Sequence, residues 1–477
     1  MTNSASLLFS SLSLNPDLLQ NLESLGFTEM TPIQSESLPA ILDGKDVIAQ
    51  AKTGSGKTAA FGLGLLHKLK VKKFRIQTLI LCPTRELADQ VAKDIRKLAR
   101  TIHNIKVLTL CGGMSFGPQV GSLEHGAHIV VGTPGRIEDH VNRGTLILDH
   151  VDTLVLDEAD RMLEMGFEPS LNAILEKTPS QRQTLLFSAT FPEKIQSIAS
   201  KVMKNPIMVK VESTHEDSSI QQFFYRVSND SERMIALRLL LLEYTPTSAI
   251  VFCNTKIETQ ETANELSRHG FSAAALHGDL EQRDRDQTLV RFSNKSVSVL
   301  VATDVAARGL DIENLDMVVN FHIARDAEVH THRIGRTGRA GSSGIACSLF
   351  SEKEVHKIIK LNITSNENPN TPFDPMTQSD KLPPQALLEN RPDKPTTVTL
   401  QIDGGKKQKV RPGDILGALT SKKNKSGTVI TGNDVGKIQI FDNCAYVAIN
   451  TQFVKSALTV LSEGKIKGRN FRVRQIK

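Results

Sequence analysis

The five cysteines of this chain, Cys82, Cys111, Cys253, Cys347 and Cys444, are odd in number, far apart and never spaced as a CxxC pair. That argues against a disulfide framework and against a zinc site. They read as small buried hydrophobes, not as catalytic thiols. No stretch approaches the run of about eighteen apolar residues that a membrane-spanning helix needs. Met1 to Asn15 has no Lys or Arg ahead of an apolar block, so it lacks the form of a secretory leader. The expectation is a cytoplasmic protein in a reducing compartment, with no membrane partner.

What is present is an ordinary globular composition, with 39% hydrophobic and 23% charged residues over 477 positions. That length suits about two to four domains. The net charge of +6 is unevenly placed: Thr396 to Lys477 holds 15 Lys or Arg against 5 Asp or Glu, a net of +10, and the rest carries −4. A basic excess confined to one folded segment favours an anionic partner for it.

Up to about Glu354, short apolar runs alternate with amphipathic stretches. They include TLILCP (Thr78 to Pro83), HIVVGTP (His128 to Pro134), TLVLDEAD (Thr153 to Asp160) and QTLLFSAT (Gln183 to Thr190), then SAIVFCN, SVLVATD and MVVNF. Buried parallel strands followed by helices read this way. Many of the runs end in small or polar residues, where ligands bind on a parallel sheet. The polar stretch Val211 to Ser219 divides the series, which predicts two α/β domains over residues 1–210 and 211–363. Thr364 to Lys394 is rich in Pro, Asn, Ser and Asp without periodicity, and predicts an extended linker over 364–395. A βαββαβ pattern fills 396–477. Its strands are TVTLQI (Thr397 to Ile402), KIQIF (Lys437 to Phe441), AYVAI (Ala445 to Ile449) and NFRVRQI (Asn470 to Ile476). Its helices begin near Pro412 and at Phe453. The module resembles an RNA-recognition-motif fold.

AKTGSGKT, Ala51 to Thr58, matches the phosphate-binding loop, with Ala51 where Gly is usual. It follows an apolar run and precedes a helical one, the context the motif requires. Gly54 and Gly56 let backbone amides curl around phosphate, Lys57 can reach the β- and γ-phosphates, and Thr58 can ligate Mg²⁺. Lys52, Thr53 and Ser55 complete the loop. DEAD, Asp157 to Asp160, ends the run TLVL. An acid at the end of a buried strand is costly without a cation, and Asp157 at a Mg²⁺ site would have one. Glu158 can polarise an attacking water as general base.

GFTEMTPIQ (Gly26 to Gln34) stands with Phe9 seventeen residues ahead of Gly26. PTREL (Pro83 to Leu87), GG (Gly112, Gly113), TPGR (Thr133 to Arg136), SAT (Ser188 to Thr190), ARGLD (Ala307 to Asp311) and HRIGRTGR (His332 to Arg339) follow in order. Each alone is weak. Together with the phosphate loop and DEAD they closely resemble the DEAD-box RNA helicases over nearly all of Phe9 to Phe350, which implies two tandem RecA-like domains and RNA-stimulated ATP hydrolysis.

The resemblance implies roles for individual residues. Phe9, Phe27, Thr31 and Gln34 would form the adenine site, with Gln34 reading the base edge and Phe27 stacking on the ring; Met30 departs from the usual Pro. Asp311 would bind the ribose. Pro83, Thr84, Arg85, Gly113, Thr133, Pro134, Gly135 and Arg136 would hold the RNA backbone on the first domain, and Thr255, Gln282, Arg285 and Thr303 on the second. Such contacts position RNA without reading its bases. Ser188, Ala189 and Thr190 would couple the ATP and RNA sites. Arg336 and Arg339 are the expected arginine fingers.

GKKQKVRPGDILGALT, GKIQIFDNCAYVAI and GKIKGRNFRVRQIK resemble the RNA-binding domain of the DbpA subfamily. This implies a hairpin of large-subunit ribosomal RNA as partner and a role in assembly of the large ribosomal subunit. TVTLQI has no aromatic and AYVAI only Tyr446, so the usual platform of stacking rings is missing; Tyr446 itself reads equally as a core or an edge residue. The candidates for RNA contact are Lys406, Lys407, Lys409, Lys465, Lys467, Arg469, Arg472 and Arg474. A monomer is expected. Other readings are a general RNA chaperone without ribosomal preference, a DNA helicase, and an ATP-locked clamp. The clamp need not keep Lys57, Glu158, Arg336 and Arg339 together, and stimulation by RNA but not by matching DNA would exclude the DNA helicase.

Overall fold

The runs of Val, Ile and Leu that bound the motifs are buried on both faces, as strands covered by helices on either side must be. The computed structural model describes residues 8–51, 54–211, 220–307, 310, 312, 314–338, 344–361, 363, 373–421 and 429–476. Its first sheet has seven parallel strands: β1 (Val47–Gln50), β2 (Thr78–Leu81), β3 (Val107–Leu110), β4 (Ile129–Gly132), β5 (Thr153–Asp157), β6 (Gln183–Ser188) and β7 (Ile207–Lys210). They lie in the order β3-β4-β2-β5-β6-β1-β7. Residues such as Leu79, Ile80, Val130 and Leu154 have no exposed surface.

The second sheet is parallel as well, with β8 (Ile220–Arg226), β9 (Ala249–Cys253), β10 (Ala273–Leu276), β11 (Val299–Thr303), β12 (Met317–Asn320) and β13 (Gly344–Phe350) in the order β10-β11-β9-β12-β13-β8. Helix starts follow from local chemistry. Thr84, Asn229, Thr255 and Asp326 each accept a backbone N–H of the first turn, which satisfies a donor the helix leaves open. Pro134 opens its helix at the position that needs no N–H donor.

The C-terminal sheet is antiparallel: β14 (Thr397–Ile402), β15 (Val435–Ile440), β16 (Ala445–Asn450) and β17 (Val473–Gln475), in the order β15-β16-β14-β17. Helices Pro412–Thr420 and Val454–Glu463 cover one face, and Leu400, Ile402, Ile415, Leu419, Val447 and Leu461 fill the core between them. Two parallel α/β domains followed by a small α+β module is the fold class that the alternation of runs predicts.

The expected linker is extended but not free in its described part. Asp380 pairs alongside β8, its N–H donating to the Phe224 carbonyl at 2.8 Å and its carboxylate accepting the Phe224 N–H at 2.7 Å. Phe373 packs on the Phe224 ring at 4.6 Å, and Leu382 packs against the core of the second sheet. Apart from Val211, the polar divider Val211 to Ser219 lies outside the described residues, as do Lys52, Thr53, Asp311 and Arg339.

Candidate nucleotide and RNA sites

The strand order of the first sheet separates two sets of motifs. The phosphate loop, DEAD and SAT follow β1, β5 and β6, which are neighbours. PTREL, GG and TPGR follow β2, β3 and β4, which are neighbours on the other side of β5. One edge of one sheet therefore carries a nucleotide half and an RNA half, meeting between β2 and β5.

In the nucleotide half, Gly54 and Gly56 have φ of 82° and 91°, a region open to glycine at no steric cost. A Cβ on Gly56 would also collide with Gln34 Nε2 and Thr31 Oγ1. Gln34 is tied to the loop: its Oε1 accepts from the Thr31 N–H at 2.9 Å and its Nε2 donates to the Gly56 carbonyl at 3.0 Å. Thr31 Oγ1 donates to the Ser55 carbonyl at 2.7 Å. Ala51 is buried and donates its N–H to the Ser188 carbonyl at 3.0 Å. Lys57 opens the helix Lys57–Lys68 and rests its ammonium on the Ala51 carbonyl at 3.0 Å; Thr58 is the next residue of that helix. Phe9 is buried in the core beneath this layer, whereas Phe27 is 39% exposed with the Lys97 ammonium 5.5 Å from its ring centre.

Asp157 ends β5 with its Oδ1 buried and without a hydrogen-bond partner. Burial pushes its carboxyl up to about 7, with Glu158 adding to the shift and Lys57 opposing it. An orphaned carboxylate oxygen beside a phosphate loop fits a divalent cation shared with phosphates, the way Mg²⁺ is usually held. Thr58, the first-turn hydroxyl, is the protein's other candidate ligand. Glu158 sits in the left-handed region at φ 51°, at a sharp strand-to-helix turn. For a non-glycine residue that conformation costs about 1–3 kcal/mol and recurs where function demands it.

Asp160 has a part that the motif spelling does not reveal. Its Oδ2 accepts from Ala189 N–H at 3.2 Å, Thr190 N–H at 2.9 Å and Thr190 Oγ1 at 2.9 Å, and its own N–H donates to Ser188 Oγ at 3.3 Å. SAT is thus held by one buried carboxylate. Reading the sequence assigned coupling to Ser188, Ala189 and Thr190 and overlooked their acceptor, although the last letter of DEAD was the available signal.

In the RNA half, Thr84 Oγ1 caps the helix after β2, and Arg85 Nη1 is buried without a hydrogen-bond partner. Gly113 has φ 72°, and Gly112 donates its N–H to Thr133 Oγ1 at 3.4 Å. Arg136 donates to the Met114 carbonyl at 3.0 Å and to Gln119 Oε1 at 3.2 Å. Pro134 and Gly135 form the first turn of the helix after β4. Open helix N–H groups, hydroxyls and a guanidinium on one strip suit phosphate.

The second sheet repeats the division. Thr255, Gln282, Arg285 and Thr303 cluster after the adjacent strands β9, β10 and β11. Thr303 Oγ1 accepts the Ala306 N–H at 3.3 Å and Arg285 Nη2 donates to the Ala306 carbonyl at 2.8 Å. HRIGR closes the helix Ala327–Ile334 that follows β12. There Arg333, 2% exposed, donates to both oxygens of Asp304 at 2.6 and 2.8 Å and to the His322 carbonyl at 2.7 Å. This pair, a buried Arg333 on a half-buried Asp304, anchors the helix end that leads into Arg336. Neither Arg333 nor Asp304 was singled out from sequence.

In the module, Lys406 and Lys407 lie on a turn after β14, and Lys465, Lys467, Arg469 and Arg472 on the loop before β17. Lys467 Nζ donates to the Lys409 carbonyl at 3.0 Å and joins the two loops. Asp442 lies 3.8 Å from Lys406, and Arg474 pairs with Asp403 at 2.9 Å. Tyr446 is 3% exposed, edge-on to Phe441 at 5.4 Å.

Tandem parallel sheets with a phosphate loop, an acidic strand end and an Arg-rich turn define the class of ATP-driven nucleic-acid helicases. Residues 31–198 match the DEAD/DEAH box helicase family, 232–341 the helicase conserved C-terminal domain, and 399–475 the DbpA RNA binding domain. The chain is 52% identical over 472 residues to the ATP-dependent RNA helicase DbpA of Escherichia coli (strain K12), covering 98% of this chain and 99% of that protein. It is 45% identical over 358 residues to the DEAD-box ATP-dependent RNA helicase CshA of Geobacillus kaustophilus (strain HTA426), covering 75% of this chain and 76% of that one. Among solved structures, S. cerevisiae Dbp5 bound to RNA and ADP BeF3 is similar with a TM-score of 0.67 at 30% identity, over 74% of this chain and 91% of that chain. The chain belongs to the DEAD-box ATP-dependent RNA helicases, in the DbpA subfamily. It binds ATP and RNA and hydrolyses ATP under stimulation by RNA. Among the described residues no helix is long and apolar enough to cross a membrane.

Proposed function

We propose that this helicase is directed by its C-terminal module to a hairpin of large-subunit (23S) ribosomal RNA, where it unwinds neighbouring duplexes locally during assembly of the large ribosomal subunit. The observation that carries the reading is the match of residues 399–475 to the DbpA RNA binding domain, on a module whose residues from Thr396 onward hold a net charge of +10. The domains act as the units 1–210, 211–363 and 396–477, joined through 364–395, in a cytoplasmic monomer.

In the core, Lys57 and the loop from Ala51 to Thr58 hold the phosphates, while Gln34, Thr31, Phe27 and Phe9 form the adenine side of the site. Thr58 and Asp157 are the residues that would hold Mg²⁺, which when bound neutralises charge on the β- and γ-phosphates. Glu158 accepts the proton of the attacking water. Arg336 and Arg339 stabilise charge on the transferring phosphoryl group, and Asp311 holds the ribose. Because these groups come from two domains, ATP and RNA together favour a closed state, and loss of the γ-phosphate releases it. Asp160 and SAT link the nucleotide half to the RNA half of the first sheet.

The test compares ATPase stimulation by total ribosomal RNA, transfer RNA and homopolymer. A strong preference for ribosomal RNA is expected; equal stimulation by all three would leave a general RNA chaperone.

A further inference from the structure

Two motif-bearing segments of the first domain, GG and TPGR, are tied together by a side chain that belongs to neither. Gln119 lies in the helix Phe116–Glu124, which follows GG, and is 6% exposed. Its Nε2 donates at 3.0 Å to the carbonyl of Cys111, the residue before Gly112. Its Oε1 takes two bonds, from Arg136 Nη1 at 3.2 Å and from His140 Nε2 at 2.9 Å. The amide can stand only this way round, because a carbonyl only accepts and a guanidinium only donates. Arg136 and His140 are four residues apart and share one side of the helix Pro134–Asn142. His140 has no exposed surface; its ring stacks on Phe116 with centres 4.2 Å apart, and its Nδ1 lies 2.8 Å from Thr145 Oγ1. Burial and the Arg136 cation, with Arg143 adding and Asp139 opposing, hold its pKa below the ordinary value. The ring is therefore neutral at neutral pH, with its proton on Nε2, where Gln119 accepts it.

Arg136 Nη1 also donates to the Met114 carbonyl at 3.0 Å, so both of its hydrogens point inward. Protein groups thus set the plane of the guanidinium, and the edge formed by Nε and Nη2 is the one presented to a phosphate, which such an edge grips with two bonds. Asp139 comes only within 3.9 Å of Nε and is engaged by Arg143 at 2.7 Å. We propose that Gln119 is a positioning residue for RNA binding, an inference that rests on the reading of Arg136 as a contact to the RNA backbone. Its amide, backed by His140, fixes the Arg136 guanidinium against the GG turn before RNA arrives. A long Arg side chain ordinarily loses rotamer freedom when it binds; here the fold has already fixed it, and the phosphate contact forms without that loss. Packing alone would be served as well by an apolar residue. A buried amide whose bonds all run to these two segments gives orientation that packing lacks.

The test uses the full-length enzyme and poly(U), a probe that bypasses the ribosomal preference proposed for the module. The readout is the RNA concentration for half-maximal ATPase stimulation, set against turnover at saturating RNA. Gln119→Leu should raise that concentration by about tenfold, the effect of losing one hydrogen bond to a charged group, with the loss falling on the RNA requirement and not on saturated turnover. Arg136→Ala should raise it at least as far. Adding Gln119→Leu to Arg136→Ala should raise it no further, because a residue that acts through Arg136 then has nothing left to position. Should Gln119→Leu fail to fold, His140→Phe keeps a ring against Phe116, removes the ring nitrogens and reads the same cycle, with an expected shift of about threefold, the scale of a neutral hydrogen bond. Wild-type behaviour of these variants beside a defective Arg136→Ala, or losses that add in the double variant, overturns the proposal. An Arg136→Ala enzyme with the wild-type RNA requirement would instead remove Arg136 from RNA binding, and the positioning role with it.

Discussion

The helicase core and the C-terminal module use opposite means to reach RNA. In the core, the functional groups sit at the ends of buried parallel strands, and backbone geometry aims them: Lys57 is 7% exposed and Glu158 is held at φ 51°. In the module, the expected RNA-binding groups are cations on two loops, while its flat sheet face is filled by the protein itself. On the proposed reading, core groups such as Lys57, Asp157 and Glu158 are buried and each has its own task, whereas the module's candidates, such as Lys406, Lys407, Lys465 and Arg469, are exposed cations that act by summed charge. Preorganised groups serve chemistry that must be the same on every RNA, and an electrostatic surface serves selection, where shape and summed charge suffice.

Substitutions should break that contrast most sharply at the arginine expected to act after closure. Arg336→Ala should lower kcat by about 10³- to 10⁵-fold, the range for an arginine finger, while nucleotide still binds. Single-turnover hydrolysis with a parallel nucleotide-binding titration measures it, and near-normal turnover would remove Arg336 from the mechanism. Glu158→Gln should cost about 10²- to 10⁴-fold in hydrolysis yet leave ATP-dependent RNA binding intact, giving a long-lived complex seen as slow RNA release.

A substitution at Asp160 tests whether its hold on SAT, within the nucleotide half, carries the proposed coupling to the RNA half of the first sheet. Asp160→Asn keeps the shape but weakens charge-assisted bonds to Ala189 and Thr190, each worth about 1.5–3 kcal/mol. RNA stimulation of the ATPase should fall by about tenfold or more, with RNA affinity in the absence of nucleotide preserved. Unaltered stimulation would show that SAT needs no such acceptor.

On the module side the expected effects are smaller and spread out. Deleting Thr396 to Lys477 should leave RNA-stimulated ATPase at high RNA concentration and abolish the preference for ribosomal RNA; a core that still preferred it would reverse the division of labour. A single Lys465→Ala should weaken ribosomal RNA binding slightly and reduce the slope of log affinity against log salt by about one. A collapse of binding from that one change would mean that the module, like the core, depends on single residues.

Much of this protein could be read from its sequence alone, because its nucleotide chemistry is encoded in short local segments. The phosphate loop needs Gly54 and Gly56 where φ is positive, Thr84 and Thr255 cap the helices they precede, and Leu400 and Ile402 alternate with Thr399 and Gln401 as a half-buried strand must. Such features depend on spacings of one to four residues, which periodicity and turn chemistry expose directly. Tertiary structure alone decided what depends on distant partners. The strand order, which places SAT beside DEAD and separates the nucleotide half from the RNA half, arises from pairing between runs far apart in the chain. Asp160 as the acceptor for SAT, Arg333 on Asp304, the strap at Asp380 and the burial of Tyr446 leave no local period, because each partner is an ordinary residue until the fold brings it within hydrogen-bonding distance.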